Sequence, residues 1–297
     1  MPSGFDEFSE RAHINYTGGS LEVLANRTRL QKAMTGVDAV SHQAAQLEIT
    51  TSIADPLSDL RSNTEGALNV LRAMTETGVS RLMFASSACV YGEAEYIPED
   101  ELHPTNPNWE YGVSKLASEK YCRIYSQAHG IRFTAFRYSI VYGPREWYGR
   151  VLTIFLRRLL DKMSPVVFGE GDQLRDFVYV RDVVALHNAC LNNPAAEGQI
   201  FNASTGIGTS IRDLAHLVCK STGSATPVEH EAVRVGERSK LVDGRQRLPA
   251  ELQRMVLNPQ KAERLIGWKA AVPLGEGIKH ELEWLKKNSG LWKEMHY

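Results

Sequence analysis

The sequence has 297 residues, of which 43% are hydrophobic and 23% are charged. This is ordinary globular composition, and the length suffices for one large domain or for a large and a small domain that share a core. Lysine and arginine number 34 against 35 for aspartate and glutamate. Because neither charge is in excess, we expect neither a nucleic acid nor a membrane surface as a partner.

We expect no targeting segment, no membrane span and no metal site. The first ten residues are acidic and lack the apolar run of a signal peptide. The most apolar stretch near the middle, Val151–Leu160, is interrupted by Arg157 and Arg158. The cysteines lack the spacing of a disulfide framework or a zinc site, which favours the reducing cytoplasm. They are Cys89, Cys122, Cys190 and Cys219.

Short apolar runs alternate with helical patterns through the first half of the chain. Buried strands are predicted at Asp38–His42, Arg81–Ala85 and Arg132–Phe136. Helices are predicted between them, at Pro56–Gly78 and Glu110–Gly130, and each ends at its glycine. Strand–helix–strand units of this length indicate a parallel, doubly wound α/β sheet.

Both predicted helices carry an apolar face at three- and four-residue steps, as is typical of amphipathic helices. In the first helix the residues in this pattern are Leu57, Leu60, Thr64, Leu68, Leu71 and Met74. In the second helix they are Ala117, Tyr121, Tyr125 and Ala128.

The second half of the chain carries shorter elements. Strands are predicted at Pro165–Gly169, Asp176–Val180 and Ile200–Ala203. Helices are predicted at Asp182–Asn192, from Ser210 onward, and at Leu274–Lys287. Residues 226–258 are mostly polar with irregular patterning, as expected of a region that covers a substrate.

Tyr111 and Lys115 are candidate catalytic residues, because their spacing of four residues puts both on one face of a helix. A tyrosine with a pKa near ~10 is a poor base at neutral pH, but a neighbouring cation favours its phenolate. Such a pair alone is more often an ordinary surface pair. Here the strand Arg81–Ala85 leads into Ser87, at the carboxyl end where open α/β sheets bind ligands. Together the three side chains predict a proton-transfer site.

The chain resembles the extended short-chain dehydrogenase/reductase family, in particular its NAD-dependent nucleotide-sugar epimerases and dehydratases. The resemblance runs from about residue 37 to residue 284. Besides the serine and the Tyr-x-x-x-Lys pair, it is carried by Val-Asp-Ala-Val-Ser-His-Gln-Ala-Ala at 37–45, Asp-Pro at 55–56, Asn-Thr-Glu-Gly-Ala-Leu-Asn-Val-Leu at 63–71, Arg-Tyr-Ser-Ile-Val-Tyr-Gly-Pro at 137–144, and Phe-Gly-Glu-Gly-Asp-Gln-Leu-Arg-Asp-Phe-Val-Tyr-Val-Arg-Asp at 168–182.

The resemblance implies a Rossmann-like α/β fold with a doubly wound parallel sheet. Residues 1–164 would form a partial NAD-binding domain, and residues 165–297 a smaller α/β region that mainly binds substrate. NAD is the implied cofactor and a nucleotide sugar the implied substrate. The implied assembly is a homodimer through the helices at Pro56–Gly78 and Glu110–Gly130.

The resemblance also implies which residues form the site. Ser87, Tyr111 and Lys115 would be catalytic, with Lys115 also holding the nicotinamide ribose. Further residues flanking NAD would be Ala44, Ala45, Asn63, Ser86 and Tyr138. The substrate-binding residues would be Ser87, Cys89, Phe168, Arg175 and Arg247. Arg234 is the alternative to Arg247 for the contact to phosphate and ribose.

The residues after Ser87 narrow the implied reaction. Dehydratases of the family carry an Asp-Glu pair there, and related decarboxylases keep the glutamate, whereas this chain has Ala88 and Cys89. A simple oxidation–reduction cycle at one sugar carbon remains, so we expect 4-epimerisation of the kind carried out by UDP-glucose 4-epimerase.

Cys89 leaves a second reaction open, because a cysteine at this place exchanges protons next to a carbonyl in GDP-mannose 3,5-epimerase. Those enzymes use a second Lys or His after the Tyr-Gly-Pro string, and residues 145–150 here contain neither. The pair Ser139-Ile140 also replaces the usual Phe-Asn of 4-epimerases, which removes an amide contact to the sugar diphosphate.

The amino-terminal part departs most from the family. A dinucleotide fold needs a first strand, a Gly-rich turn and an acidic residue about 20 residues later. The pair Gly18-Gly19 lacks the required spacing, and Gly206-Ile-Gly208 precedes a helix cap at Ser210. We therefore predict that the fold is N-terminally incomplete and begins near its third strand, at His13–Tyr16.

Such a fold would expose its fourth strand at an edge, because the family's strand order is 3-2-1-4-5-6. Either Ala12–Thr17 moves into the vacated place or the natural polypeptide starts upstream. A second class of function therefore stays open beside the enzyme, namely a non-catalytic remnant that binds sugar nucleotides or acts as an inactive partner in a dimer.

Overall fold

The structure, a computed structural model, describes residues 24, 26–146, 150–247 and 251–289. These residues divide into two compact units. The first unit comprises the described residues as far as Val90, together with Trp109–Phe136 and Glu197–Gln199. The second comprises Tyr91–Asn108, Arg137–Ala196 and the described residues from Ile200 onward. The functional boundary predicted at residue 164 stays a prediction.

The strands are β1 (Ala39–His42), β2 (Arg81–Ser87), β3 (Arg132–Tyr138), β4 (Ile140–Tyr142), β5 (Val166–Phe168), β6 (Leu174–Tyr179), β7 (Gln199–Ala203), β8 (Gly208–Ser210), β9 (Glu229–Glu231) and β10 (Arg254–Met255). The α-helices are α1 (Arg27–Met34), α2 (Ile49–Ala54), α3 (Pro56–Leu60), α4 (Gly66–Thr77), α5 (Glu110–His129), α6 (Val151–Leu160), α7 (Val180–Leu191), α8 (Ile211–Thr222), α9 (Gln260–Ile266) and α10 (Leu274–Lys287). The strands and helices predicted from residue 38 onward are present with ends that shift by a few residues, except that the helix predicted at Pro56–Gly78 is divided. The predicted strand at His13–Tyr16 and the segment Ala12–Thr17 lie outside the described residues.

The first unit is built on a sheet in which β1, β2 and β3 follow one another in that order. β1 pairs with β2 in parallel, from Ala39 opposite Arg81 to His42 opposite Phe84. Every residue of β2 is buried, as the near-continuous apolar run of a strand covered on both faces predicts. β2 extends beyond the predicted run as far as Ser87, and this places the serine hydroxyl at the carboxyl end of the sheet.

A π-helical segment, Arg61–Glu65, joins α3 to α4 where a single amphipathic helix was expected. The wider π turn interrupts the 3.6-residue period, so the apolar face before it does not continue into the face after it. Leu57 and Leu60 are accordingly 59% and 49% exposed. The buried residues of α4 are Gly66, Ala67, Val70, Leu71, Ala73 and Met74. The prediction of one continuous face was therefore wrong at its beginning.

α5 buries a polar face. Its buried residues are Gly112, Ser114, Lys115, Ser118, Glu119 and Cys122. The predicted apolar face is half-buried at Ala117, Tyr121 and Tyr125 and exposed at Ala128. A buried polar face is stable because its groups are hydrogen-bonded; Ser118 Oγ, for example, donates to Ser114 O at 2.8 Å.

The second unit contains two further sheets. β4 and β10 flank β6 in parallel, and β8 pairs with β6 in the antiparallel direction. β5 pairs with β9 in parallel. α6, α8 and α10 contribute to its core through Phe155, Leu156, Leu214, Val218 and Ile278. Across the described part of the chain, none of the helices combines the length and the apolar character that crossing a membrane requires.

Two carboxyl groups of the second unit are buried near each other, those of Glu146 and Glu281. Thr153 Oγ1 donates to Glu281 Oε1 at 3.2 Å. Burial and then the charge of Glu146 raise the pKa of Glu281 well above its ordinary value of 4.5. Burial also raises the pKa of Glu146 to about 7. The folded state therefore holds protons that the unfolded chain releases, and it loses stability as the pH rises from 4.5 through about 7.

We expect Glu281→Gln to raise the free energy of unfolding at pH 8 by about 1–3 kcal/mol, because glutamine keeps the shape and cannot ionise. The gain should vanish below pH 4.5, where the wild-type carboxyl is protonated in both states. Chemical denaturation at the two pH values measures the effect. Glu283→Gln, the same change at an exposed position of α10, is the control. An equal effect of Glu281→Gln at both pH values would contradict the assignment of a buried protonated pair.

Candidate active site

Ser87, Tyr111 and Lys115 all lie in the first unit, where α5 packs against β2. Ser87 ends β2 and is buried, and its Oγ accepts a hydrogen bond from Cys89 N at 3.1 Å. Tyr111 lies in the first turn of α5 and is half-buried. Lys115 follows one turn later and is 3% exposed. The end of β2 thus carries a hydroxyl, and the first turns of α5 carry a phenol and an ammonium.

The ammonium of Lys115 is fixed in the protein interior. Its Nζ donates to Ala85 O at 2.9 Å, and it lies 5.8 Å from the ring centroid of Tyr111 and 5.3 Å from that of Phe84. Burial lowers the pKa of Lys115 to about 8, while the charge of Asp59 acts in the opposite direction. A cation held beside the phenol favours its phenolate, which is the condition for acid–base work by Tyr111.

Asn63 lies in the π-helical segment and is buried. Its Oδ1 accepts from Gln46 N at 3.0 Å and its Nδ2 donates to Gln46 O at 2.9 Å. Asn63 therefore holds the chain that follows β1, which includes exposed Ala44 and half-buried Ala45. The predicted cofactor contacts of Asn63, Ala44 and Ala45 stay predictions, and the structure adds that Asn63 holds the backbone of Gln46, which follows the two alanines.

Ser86 is buried, and its Oγ donates to Glu119 Oε1 at 2.5 Å. The hydroxyl thus links β2 to α5. Cys89 is half-buried and forms no disulfide, and it lies in a short 3₁₀ turn over Ala88–Val90. The predicted roles of Ser86 and Cys89 at the cofactor and the substrate stay predictions.

The remaining predicted residues lie in the second unit. Gly169 follows β5, and a Cβ built on it would come within 3.3 Å of Arg247 Nη1, so the structure brings Arg247 to the residue next to Phe168. Arg247 Nη1 also donates to Val233 O at 3.0 Å. Arg175 Nη1 donates to Leu174 O at 2.8 Å. The roles of these three side chains as substrate contacts stay predictions.

Tyr138 ends β3, and its hydroxyl lies 2.6 Å from His187 Nε2. Burial lowers the pKa of His187 to about 4, so this imidazole is neutral at physiological pH. The predicted contact of Tyr138 with NAD stays a prediction.

Three polar residues around Lys115 were not predicted as part of the site, namely Asp59, Ser114 and His42. Asp59 is buried in α3 and accepts from Ser114 Oγ at 2.6 Å. His42 ends β1 and is buried, and burial together with the charge of Lys115 lowers its pKa to about 3. The spacing of Asp59 four residues before Asn63 was the available signal for one of them, since that spacing puts both on one side of a helix.

Comparisons with known proteins show the family of the chain. The model of the family described as "NAD dependent epimerase/dehydratase family" matches residues 10–204. The chain belongs to this family. The predicted family and the predicted Rossmann-like α/β fold are thereby confirmed, while the predicted incompleteness of the fold at its amino terminus stays a prediction.

Among its relatives is a putative UDP-glucose 4-epimerase from Methanocaldococcus jannaschii, which is 38% identical over 257 residues that cover 85% of this chain and 78% of the relative. The crystal structure of UDP-glucose 4-epimerase from Thermotoga maritima with UDP-glucose superposes with a TM-score of 0.83 at 27% identity, over 96% of this chain and 94% of that one. The UDP-glucose 4-epimerase of Thermus thermophilus in complex with NAD gives a TM-score of 0.78 at 30% identity, over 92% and 90% of the two chains.

The described residues fit the nicotinamide end of a dinucleotide. Lys115 carries three N–H donors and uses one on Ala85 O, and it lies beside Tyr111 at the carboxyl end of β2, where such sheets bind ligands. For the pyrophosphate end, the sequence contains no Gly-x-x-Gly-x-x-Gly string, and we assign none of the described residues to it.

Proposed function

We propose that this chain catalyses the NAD-dependent epimerisation of a nucleotide sugar at C4 of the sugar. Family membership and the likeness to UDP-glucose 4-epimerases support the proposal. The observation that carries it is the buried ammonium of Lys115 beside the ring of Tyr111 at the end of β2. Bound NAD would supply an acceptor and then a donor for the hydride of the reacting carbon.

The protein's own side chains move and hold the proton. Tyr111 takes the proton of the C4 hydroxyl while the carbon is oxidised and returns it when the carbon is reduced on its other face. Lys115 holds a positive charge beside the phenol, which stabilises the deprotonated state. Ser87 Oγ already accepts the N–H of Cys89, so its own O–H is left to donate to the substrate oxygen.

The residues after Ser87 support 4-epimerisation over elimination of water. Ala88 is buried and Cys89 is half-buried, so no carboxyl follows Ser87 to act as the extra acid or base. The relatives named above are 4-epimerases, and this favours the proposal over proton exchange by Cys89 and over a non-catalytic remnant.

Calorimetric titration with NAD and with UDP-glucose, combined with an assay for UDP-galactose, tests the proposal. An active epimerase binds NAD in the micromolar range and converts UDP-glucose to its C4 epimer in its presence. Retained binding of UDP-glucose without any binding of NAD would contradict the proposal and favour the remnant.

We also propose that the chain forms a homodimer through the first unit. α2, α3 and α5 carry exposed apolar side chains, which are Ile53, Leu57, Leu60, Val113 and Ile124. These helices pack on one another, and a cluster of exposed apolar side chains is typical of a protein–protein interface. The half-buried tyrosines of α5, Tyr121 and Tyr125, add aromatic surface, which is enriched at interfaces.

Ile124→Glu tests this interface. We expect the variant to be monomeric at micromolar concentration, because two buried glutamates would face each other without partners. Light scattering after size exclusion gives the mass. The matched control is Val184→Glu in α7, since Val184 and Ile124 are both 52% exposed. A dimeric Ile124→Glu variant, or a monomeric wild type, would contradict the proposal.

The proposal that the protein works in the cytoplasm rests on its thiols. None of the four cysteines, all of which lie in the described part of the chain, forms a disulfide, and Cys122, Cys190 and Cys219 are buried. Such thiols fit a reducing compartment.

A further inference from the structure

Asp59 is a buried carboxyl on a helix that otherwise faces outward. It is 0% exposed, whereas its neighbour Leu60 is 49% exposed. Both of its oxygens accept hydrogen bonds: Oδ2 from Ser114 Oγ at 2.6 Å, and Oδ1 from Asn63 Nδ2 at 2.8 Å. A buried carboxylate is destabilising unless it is paired and hydrogen-bonded. The hydrogen bonds of Asp59 therefore stabilise it inside the protein, and their partners indicate what it does there.

The bond to Ser114 fixes the segment of α5 that carries Tyr111 and Lys115. Ser114 immediately precedes Lys115, and its carbonyl accepts from Thr64 Oγ1 at 3.3 Å. Thr64, like Asn63, points inward from the π-helical segment that follows Asp59. One side chain of α3 and one of the π-helical segment, Asp59 and Thr64, thus hold the first turns of α5.

Asp59 also supplies the negative charge that opposes the burial of Lys115. Burial lowers the pKa of Lys115, and the attraction of Asp59 offsets part of this effect, so that the net value is about 8. The other groups that interact with Lys115 give no such charge. His42 on β1 is neutral, because its pKa is lowered to about 3. Cys122 on α5 stays a thiol, because burial raises its pKa.

We propose that Asp59 is a positioning residue of the active site, which holds α5 through Ser114 and keeps Lys115 charged beside Tyr111. Asp59 acts on the reaction through these residues and touches neither substrate nor cofactor in this role. The kinetic part of its test rests on the proposed function, whereas the titration of Lys115 does not.

Asp59→Asn removes the charge and keeps the size and one acceptor oxygen. We expect the pKa of Lys115 to fall by about one unit, since an opposite charge at short range shifts a pKa by roughly 1–3 units. The ¹³Cε resonance of Lys115 followed against pH in protein labelled with ¹³C-lysine measures this without substrate or NAD. Asp55→Asn is the matched control, because Asp55 is an exposed aspartate that caps the same helix, and asparagine also caps.

The kinetic counterpart is a shift of the alkaline limb of the kcat profile by the same one unit. We expect kcat to fall about twofold at pH 7 and about tenfold well above pH 8, with KM for the nucleotide sugar unchanged. Ser114→Ala separates the two contributions, since it removes the tether and leaves the charge. We expect it to lower kcat without moving the alkaline limb.

An unchanged Lys115 titration in folded Asp59→Asn would overturn the proposal. If Asp59→Asn does not fold, a Ser114→Ala variant with wild-type kcat would overturn it instead. A wild-type protein that binds NAD and converts no nucleotide sugar would contradict the proposed function, and the Lys115 titration would still decide the role of Asp59.

Discussion

Tyr111→Phe lowers kcat for epimerisation by about 10²–10⁴-fold, because the phenol oxygen is the group that takes and returns the proton. The ring of Tyr111 stays beside Lys115 in the variant, so the fold and the binding of the nucleotide sugar should be unchanged. Initial rates under saturating substrate give kcat, and calorimetry gives the binding constant.

The matched control is Tyr121→Phe, which removes a phenol oxygen from another half-buried tyrosine of α5. We expect Tyr121→Phe to retain wild-type kcat. A Tyr111→Phe variant that keeps more than about a tenth of wild-type kcat would assign the proton transfer to another group.

Lys115→Met lowers kcat by about 10²–10³-fold, in the range observed when one preorganised electrostatic contact is lost. Methionine fills a similar volume without charge, so the variant should fold. The wild-type kcat should fall as the pH rises through about 8, where Lys115 loses its proton. This alkaline limb should be absent from the residual activity of the variant. Rates measured from pH 6 to pH 10 test both points.

Lys120→Met is the control, because Lys120 lies on the same helix and is exposed. It should leave kcat and its pH dependence unchanged. An alkaline limb near pH 8 that persists in Lys115→Met would show that a different group titrates there.

Much of the fold could be predicted because the signals were local. Gly78 and Gly130 end helices in the left-handed conformation, with φ of 77° and 69°, as a glycine after an apolar period indicates. Ser210 caps α8 by accepting from Asp213 N at 3.0 Å, as the spacing of the pair predicted. Each of these signals lies within a few residues of the element that it ends or starts.

The π-helical segment and the buried polar face of α5 could not be predicted in this way. Asn63 is held by the chain after β1, and Ser114 by Asp59, a residue 55 positions away. Such contacts exist only in the folded chain. In the sequence a charged residue such as Asp59 indicates an exposed position, since carboxylates are almost never buried unpaired.

For the candidate site too, the sequence predicted the three residues that carry local signals but not the groups that hold them. The Tyr-x-x-x-Lys spacing and the position of Ser87 after a strand are local features, and the structure brings the three residues to the end of β2 and the start of α5. The partner of Lys115 is the carbonyl of Ala85, and every residue has such a carbonyl, so no sequence pattern reveals it. The bond between Ser114 and Asp59 also joins residues far apart in the sequence, so the spacing of Asp59 before Asn63 alone did not reveal that it reaches α5.

The central claim, hydride removal and return at C4 with Tyr111 as the proton carrier, is tested most directly by a reaction in D₂O followed by NMR. With UDP-glucose and NAD, we predict formation of the C4 epimer without deuterium on any ring carbon, because only the oxygen-bound proton passes through Tyr111. Deuterium at C3 or C5 of the sugar would contradict the account and favour proton exchange at carbon by Cys89.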